Sequence, residues 1–323
     1  MPVASSPLPP FVQALADGIH VIDTGFHRPR FDAAYLVVED GRAAFIDTGT
    51  THSVPRLLAS LAAQGLPVEA VDWVIVTHVH LDHAGGAGAL MQALPNARLL
   101  VHPRGERHMI DPTALLAGAR AVYGAEEVAR SYGEVPGIPP ERVVTSSDGL
   151  TVHLAKRPLQ LLDTPGHARH HHCIWDARSR GFFTGDTFGL SYREFDTARG
   201  PWLLPTTTPV QFDPEPLRQS VRRMLSFSPE RMYLTHYGCV EGVPALGEMM
   251  LMQIDELVAL AEPLRDAEAR HDKLRQGLRN IYLRRTREHG CTLGDTETLT
   301  LLASDIELNA QGLAVWLDGG KSK

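Results

Sequence analysis

At 323 residues, with 43% hydrophobic and 21% charged side chains, the chain can bury one full core and still carry an extension. Its formal net charge of −7 argues against a nucleic-acid-binding protein, which usually has a basic domain. Its three cysteines are far apart in the sequence and odd in number, which argues against a disulfide framework and favours a reducing compartment.

The N-terminus and the apolar patterning predict a cytoplasmic protein. The opening sequence MPVASSPLPP has no basic segment followed by an apolar one, so we expect no signal peptide. No stretch approaches the roughly 18 apolar residues that a membrane span needs, so we expect no membrane association. Residues 1–17 are rich in proline and serine and then polar, and we expect them to form a loosely held arm.

Strands and helices alternate after the arm. Strands are predicted at 18–23, 33–39, 42–47, 71–78 and 97–102, and helices at 54–65 and 87–94. The Asp40-Gly41 pair between two of the strands is a strong hairpin signal, and Gly65 is a typical cap at the C-terminus of a helix. This alternation predicts a layered α/β arrangement.

The second half of the chain contains an insertion, further strands and a helical tail. Residues 104–142 combine a helical stretch at 113–131 with a Pro/Gly-rich loop, and we interpret them as a helical cap insertion over the site. Strands return at 142–146, 150–155, 159–165, 172–177, 180–186 and 231–238, with a helix at 214–226. From residue 244 the apolar spacing is helical over long stretches. We therefore predict a domain over 1–243 and a helical C-terminal extension over 244–323.

Histidines and aspartates stand at the ends of predicted strands. THVHLDH (77–83), TPGH (164–167), TGD (184–186) and LTHYG (234–238) each follow a short apolar strand. Side chains at the same ends of neighbouring strands can converge, and α/β proteins commonly place their sites there. His78 and His80 lie two residues apart on an extended segment and point the same way. Imidazole and carboxylate groups together suit zinc, iron or manganese.

These segments, in this order, resemble the hydrolase-type pattern of the metallo-β-lactamase fold superfamily. That pattern has HxHxDH, a lone histidine in TPGH, an aspartate in TGD and a final histidine near the end of the domain. The resemblance covers roughly residues 18–240. It implies a four-layer αββα sandwich of the α/β (α+β) class, with two mixed sheets face to face and helices outside, to which the helical C-terminal extension is added.

The resemblance also implies a dinuclear metal site. The ligands of the first metal would be His78, His80 and His167. The ligands of the second would be Asp82, His83 and His236, and Asp186 would bridge both metals. Asp47, in the IDTGT segment, would support the ligands through hydrogen bonds.

A site of this kind predicts a metal-dependent hydrolase. The expected reaction is cleavage of an ester, thioester or lactone of a small metabolite by a metal-bridged hydroxide. Asp82 is the candidate catalytic residue, because its carboxylate could accept a hydrogen bond from the bridging water or pass a proton to the leaving group. Two divalent ions are expected, zinc first, with iron or manganese as alternatives.

Several branches of the superfamily stay open. Glyoxalase II-like and lactonase-like members keep this HxHxDH pattern, whereas His83 argues against the penicillin-hydrolysing branch. Stand-alone diiron proteins that bind or sense dioxygen are the alternative class, and phosphodiesterases are a further one. Substrate specificity is expected to reside in the cap, in the loop 187–212 and in the tail.

Three further residues are candidates for contacts near the metals or with the substrate. His171 is preferred within the HARHHH run (167–172), because related hydrolases often place a histidine four residues past the ligand. Tyr192 and Tyr237 are candidates for hydrogen bonds to a substrate carbonyl. We expect the protein to bind a small-molecule substrate and not a nucleic acid. The amphipathic C-terminal helices are candidates for a homodimer interface.

Overall fold

Two mixed sheets form the centre of the computed structural model, which describes residues 7–207 and 210–319. In the first sheet the order of the described strands is β1 (Val12–Ala14), β2 (Ile19–Asp23), β3 (Ala33–Glu39), β4 (Arg42–Ile46), β5 (Val71–Ile75), β6 (Arg98–Val101) and β7 (Val143–Thr145). The strands from β1 to β4 pair antiparallel, and those from β4 to β7 pair parallel. The hairpin predicted at Asp40-Gly41 is confirmed, because Glu39 pairs with Arg42 across it.

The second sheet is built from the later part of the chain. In sequence order its described strands are β8 (Thr151–Leu154), β9 (Arg157–Asp163), β10 (His172–Asp176), β11 (Gly181–Gly185), β12 (Arg231–Leu234) and β13 (Gly238–Glu241). They lie in the spatial order β13-β12-β11-β10-β9-β8. Only the β11–β12 pair among these described strands is parallel, which makes this sheet mixed as well.

A buried apolar layer joins the two sheets. Tyr35 and Ile75 of the first sheet pack in one cluster with Leu161, Ile174 and Phe183 of the second. The rings of Tyr35 and Phe183 meet edge to face at a centroid distance of 5.2 Å. Alternate residues of each strand point into this layer, as expected for sheets that pack face to face. The predicted αββα sandwich is confirmed.

Helices cover the outer faces of both sheets. Their bounds are α1 (Val54–Ala63), α2 (Leu81–Ala84), α3 (Ala87–Ala93), α4 (Glu106–Ile110), α5 (Thr113–Tyr123), α6 (Ala125–Tyr132), α7 (Pro214–Ser226), α8 (Val243–Ala261), α9 (Arg270–His289), α10 (Asp295–Leu301) and α11 (Ala303–Gly319). Leu57 of α1 and Leu90 of α3 pack on the first sheet. Leu217 of α7, Ile254 of α8 and Leu313 of α11 belong to the apolar cluster on the second sheet. No helix in the described ranges is long and apolar enough to cross a membrane.

The structure differs from the sequence-based elements in several places. The strand expected at 231–238 ends at Leu234, and Gly238–Glu241 forms a separate antiparallel strand, β13, which the sequence did not predict. The single helix expected at 113–131 is two helices, α5 and α6, because Gly124 between them has a φ of +87° that interrupts the helix. Part of the expected arm is ordered, since Val12–Ala14 pairs with β2, while residues 1–6 of the arm lie outside the described residues.

The helical tail packs on the sandwich through its apolar face. Met250 of the MMLM stretch is fully buried in the cluster on the second sheet, and so are Leu278 and Leu313. Packing is thus the role of this methionine. Dimerisation through these helices stays a prediction.

Candidate metal centre

Four loops at one end of the sandwich carry the predicted ligands, and each loop follows a strand. The segment 77–83 follows β5, and His167 lies in the loop after β9. Asp186 follows β11, and His236 follows β12. The chain is extended at His80, with φ of −63° and ψ of 148°, and then forms the short helix α2, whose first turn carries Asp82 and His83. The structure brings these side chains together at the floor of one pocket.

Three imidazole nitrogens form the first group. Nδ1 of His80 lies 2.8 Å from Nε2 of His78 and 3.1 Å from Nε2 of His167. Nδ1 of His167 faces the carbonyl oxygen of Thr206 at 3.4 Å, so it carries the proton and leaves Nε2 with its lone pair free. Burial lowers the pKa of His78, His80 and His167 and favours neutral rings. Neutral imidazoles with converging lone pairs are the form that binds a metal.

Asp82, His83 and His236 form the second group. Nε2 of His236 lies 3.5 Å from Oδ2 of Asp82, and Nε2 of His83 lies 3.9 Å from the same oxygen. Nδ1 of His236 donates to the carbonyl oxygen of Phe31 at 2.9 Å, and Nδ1 of His83 donates to Oδ2 of Asp47 at 2.9 Å. Both rings therefore direct Nε2 towards the carboxylates.

Asp186 stands between the two groups. Its Oδ1 lies 3.3 Å from Nε2 of His83 and 3.9 Å from Nε2 of His236. Its Oδ2 lies 3.4 Å from Nε2 of His167. The two oxygens of one carboxylate thus face different groups, which is the arrangement that a bridging ligand requires.

These residues fit a pair of divalent cations. Nε2 of His83 and Oδ1 of Asp186 lie 3.3 Å apart, but neither atom makes a hydrogen bond of good geometry within residues 7–207 and 210–319. Buried polar atoms of this kind normally have a partner. Burial by itself would lower the pKa of His236, but the Asp186 and Asp82 carboxylates outweigh it and raise that pKa to about 9. The carboxylates therefore attract positive charge to this point, which protons or metal cations can supply. Three overlapping groups of residues each have ligand atoms that lie within 4.8 Å of one another: His78, His80 and His167; His78, His83 and Asp186; and Asp82, His83 and His236.

Asp47 holds the ligand loop in place. Its buried carboxylate accepts from the Thr77 backbone N–H at 2.7 Å, from the Thr235 hydroxyl at 3.0 Å and from His83 Nδ1. These contacts connect the end of β4 to the loops after β5 and β12. Hydrogen bonds to the second nitrogen of a histidine fix its ring orientation and raise its basicity as a ligand.

The sequence as a whole matches a known family. Residues 21–236 match the Metallo-beta-lactamase superfamily. The chain belongs to this superfamily. The match runs from within β2 to the loop after β12 and includes all seven candidate ligands, and it confirms the resemblance seen in the strand-end motifs.

Individual relatives within the superfamily are distant. A metallo-beta-lactamase fold-containing protein of Sulfurisphaera tokodaii is 25% identical over 243 residues, which covers 73% of this chain and 84% of that protein. A hydroxyacylglutathione hydrolase of Synechococcus sp. is 30% identical over 145 residues, which covers 45% of this chain and 43% of that enzyme. The crystal structure of an archaeal superfamily protein from Sulfolobus tokodaii has a TM-score of 0.66 at 24% identity, covering 93% of this chain and 99% of that one. The structural likeness supports the fold.

The histidines after His167 have different surroundings in this superfamily member. His171 is fully buried, its Nε2 accepts from the Asp186 backbone N–H at 3.3 Å, and its Nδ1 faces the Thr164 hydroxyl at 3.0 Å. Its position orients Asp186 and does not reach the pocket wall. His170 lines the pocket instead, with its ring centroid 5.5 Å from that of His80. Its Nδ1 is buried and has no hydrogen-bond partner among the residues that the structure describes. Nothing in the HARHHH run distinguishes these two residues before the backbone path is known.

The two tyrosines singled out in the sequence lie in different environments. Tyr192 lines the pocket, but its hydroxyl donates to Oδ1 of Asp305 at 3.1 Å. Tyr237 packs in the apolar layer between the sheets. Asp305 lies on α11 and was missed in the sequence, because no motif surrounds it and its partner is 113 residues away.

A pocket of about 300 Å³ opens above both ligand groups. His80, Asp82, Asp186 and His236 form part of its floor. Its walls come from α5 and α6 of the cap, from the segment after β11, and from α11. The volume is in the range of small-molecule sites.

Proposed function

We propose that the protein is a dinuclear metal-dependent hydrolase that cleaves an ester, thioester or lactone of a small metabolite. The observation that carries the proposal is the position of Asp186, whose two carboxylate oxygens face two separate ligand groups at the floor of one pocket. The relative from Synechococcus sp. is a hydroxyacylglutathione hydrolase, and 45% of this chain matches part of it. This partial match supports the same reaction class.

Each group of residues has a defined part in this reaction. His78, His80 and His167 would hold one cation, and Asp82, His83 and His236 would hold the other. Two such cations, when bound, polarise the scissile carbonyl and supply a water of lowered pKa. Imidazoles locked by Asp47 and by backbone carbonyls keep the ligands in position between turnovers.

Asp82 is the residue that moves the proton. Its side chain is 26% exposed and lines the pocket, whereas the Asp186 side chain is 7% exposed. The Asp82 carboxylate therefore reaches both the floor and the substrate. It accepts the proton of the attacking water and returns it to the leaving oxygen or sulfur, which keeps the net charge of the pocket constant.

The first experiment measures metal content and hydrolysis on the same full-length preparation. We expect about two divalent metals per chain, hydrolysis of a phenyl ester, a thioester or a lactone, loss of activity with a chelator and recovery on adding metal. H236A should lose one metal and most of the activity. H153A is the matched control, because His153 is exposed on β8 and lies outside the pocket lining.

The possible results separate the alternatives. A preparation with two metals that cleaves only a phosphodiester would support the phosphodiesterase alternative. Two irons, an oxygen-dependent absorption band and no hydrolysis would support a diiron protein that binds dioxygen. Less than one metal per chain would refute the site itself. D82N with both metals and full activity would refute the proton role of Asp82.

A further inference from the structure

The upper part of the pocket is an apolar channel between the cap and the C-terminal extension. One side is formed by Leu115, Ala119 and Val122 of α5 and by Tyr132 of α6. Leu190, in the segment after β11, and Leu308 of α11 also line the channel. The channel is continuous with the floor that carries the candidate ligands, because one cavity contains both. A group attached to a scissile carbonyl on the floor would therefore extend along α5.

The charge of the channel selects against anions. Among the described residues that line it there is no lysine and no arginine. Apart from the candidate ligands Asp82 and Asp186, the carboxylate in the lining is Asp305. Arg28 stacks on the Tyr192 ring at 4.6 Å but donates to Glu194 at 2.6 Å and is not part of the lining. A carboxylate or phosphate at the far end of the channel from the floor would be desolvated beside Asp305, with no lysine or arginine in the described lining to pair with.

We propose that the substrate carries a neutral, apolar acyl group of medium length, which this channel binds while the scissile carbonyl lies over the candidate metal ligands. The proposal rests on the hydrolase function proposed above and names its substrate class. Neutral esters and lactones of fatty acyl groups belong to this class. Thioesters with an anionic acyl group and nucleic acid phosphodiesters do not.

The first test is a series of p-nitrophenyl esters, from acetyl through butyryl and hexanoyl to octanoyl, assayed with the metal-loaded protein. Burial of each methylene should raise kcat/KM by about threefold to fourfold until the channel is full. The mono-adipoyl ester has nearly the length of the hexanoyl ester but ends in a carboxylate. At pH 8 it should be hydrolysed at least about tenfold less efficiently than the hexanoyl ester, because it places an anion near Asp305.

The second test fills the channel by substitution. A Cβ at Gly118 would meet no atom within 4 Å, and Gly118 lines the pocket on α5. G118F therefore places a ring in the channel without a backbone clash, and it removes a helical glycine. A117F is the matched control, because Ala117 is exposed one residue earlier on the same helix and is not in the lining. G118F should lose more than about tenfold in kcat/KM for the octanoyl ester and little for the acetyl ester, whereas A117F should change neither.

The outcomes distinguish this proposal from the proposed function. No hydrolysis of any ester, thioester or lactone by the metal-loaded protein would refute the hydrolase function. Hydrolysis with equal kcat/KM for all acyl lengths, preference for the adipoyl ester, or unchanged acyl selectivity in G118F would refute the acyl channel and leave the hydrolase function standing. The acyl channel would also be refuted if kcat/KM depended on the length of the alcohol group and not on the length of the acyl group.

Discussion

The replacement of Asp305 by asparagine is expected to stabilise the protein at neutral pH. Burial raises the pKa of this carboxyl from its ordinary value of 3.8 to about 6. As the pH rises, the unfolded chain therefore releases the proton first, and the folded chain holds it until about pH 6. The free energy of unfolding therefore falls as the pH rises from about 3.8 to about 6. Below pH 3.8 the carboxyl is protonated in both the folded and the unfolded state, and it has no such effect.

The size of the effect follows from the two pKa values. Their difference corresponds to about 3 kcal/mol, which is the full cost of ionising Asp305 in the folded state above pH 6. Asparagine keeps an oxygen that can accept from the Tyr192 hydroxyl, which lies 3.1 Å from Oδ1 of Asp305. D305N should therefore remove the ionisation without removing this hydrogen bond.

Urea unfolding followed by circular dichroism, at several pH values between 4 and 8, measures the free energy of unfolding of both proteins. The difference between D305N and wild type should grow by about 3 kcal/mol from pH 4 to pH 7. Asp32 is also buried, with its pKa raised to about 7, but it is present in both proteins and cancels in the difference. D40N, in the exposed hairpin turn, is the control and should show a flat difference curve. A flat curve for D305N as well would refute the assignment of a raised pKa to Asp305.

Three further substitutions test the scaffold around the site. R157M should lower the free energy of unfolding by about 3–5 kcal/mol, because it leaves the fully buried Asp176 carboxylate without its cation, and R157M combined with D176L should recover much of the loss. D47A should weaken metal binding about 10–100-fold in a chelator competition assay, because it frees the ligand rings. G185A should destabilise the fold more than G41A in thermal unfolding. Both glycines have positive φ, but only at Gly185 would a Cβ lie 2.5 Å from another side chain.

The resemblance to the metallo-β-lactamase superfamily implied the candidate ligands, and short-range geometry explains part of their placement. Residues two apart on an extended chain point the same way, which places His78 beside His80 once the strand ends at Ile75. The ends of neighbouring strands then bring His167 and His236 to the same edge. The helical tail was also predictable, since apolar spacing shows which residues of a helix are buried.

The pocket wall could not be predicted, because it depends on how helices dock. Apolar spacing shows that Leu313 faces the core, but it does not show that Asp305 on the same helix reaches Tyr192. The different surroundings of His170 and His171 have a similar cause. Both are buried histidines in one run, and only the path of the loop after β9 decides which of them meets Asp186 and which of them meets the pocket.

The metal centre and the acyl channel come from different parts of the chain, and this separation makes the two proposals independent in experiment. All the candidate ligands lie between residues 78 and 236 on loops of the sandwich, whereas the apolar walls come largely from the cap and from α11. A substitution on α5 touches no candidate ligand, so G118F should keep both metals and should lose much less activity on the acetyl ester than on the octanoyl ester. H236A should lose metal and activity on every ester, whatever its length. If G118F lost metal as well, the cap would have to support the ligands through the floor of the pocket, and specificity could not then be changed without changing the chemistry.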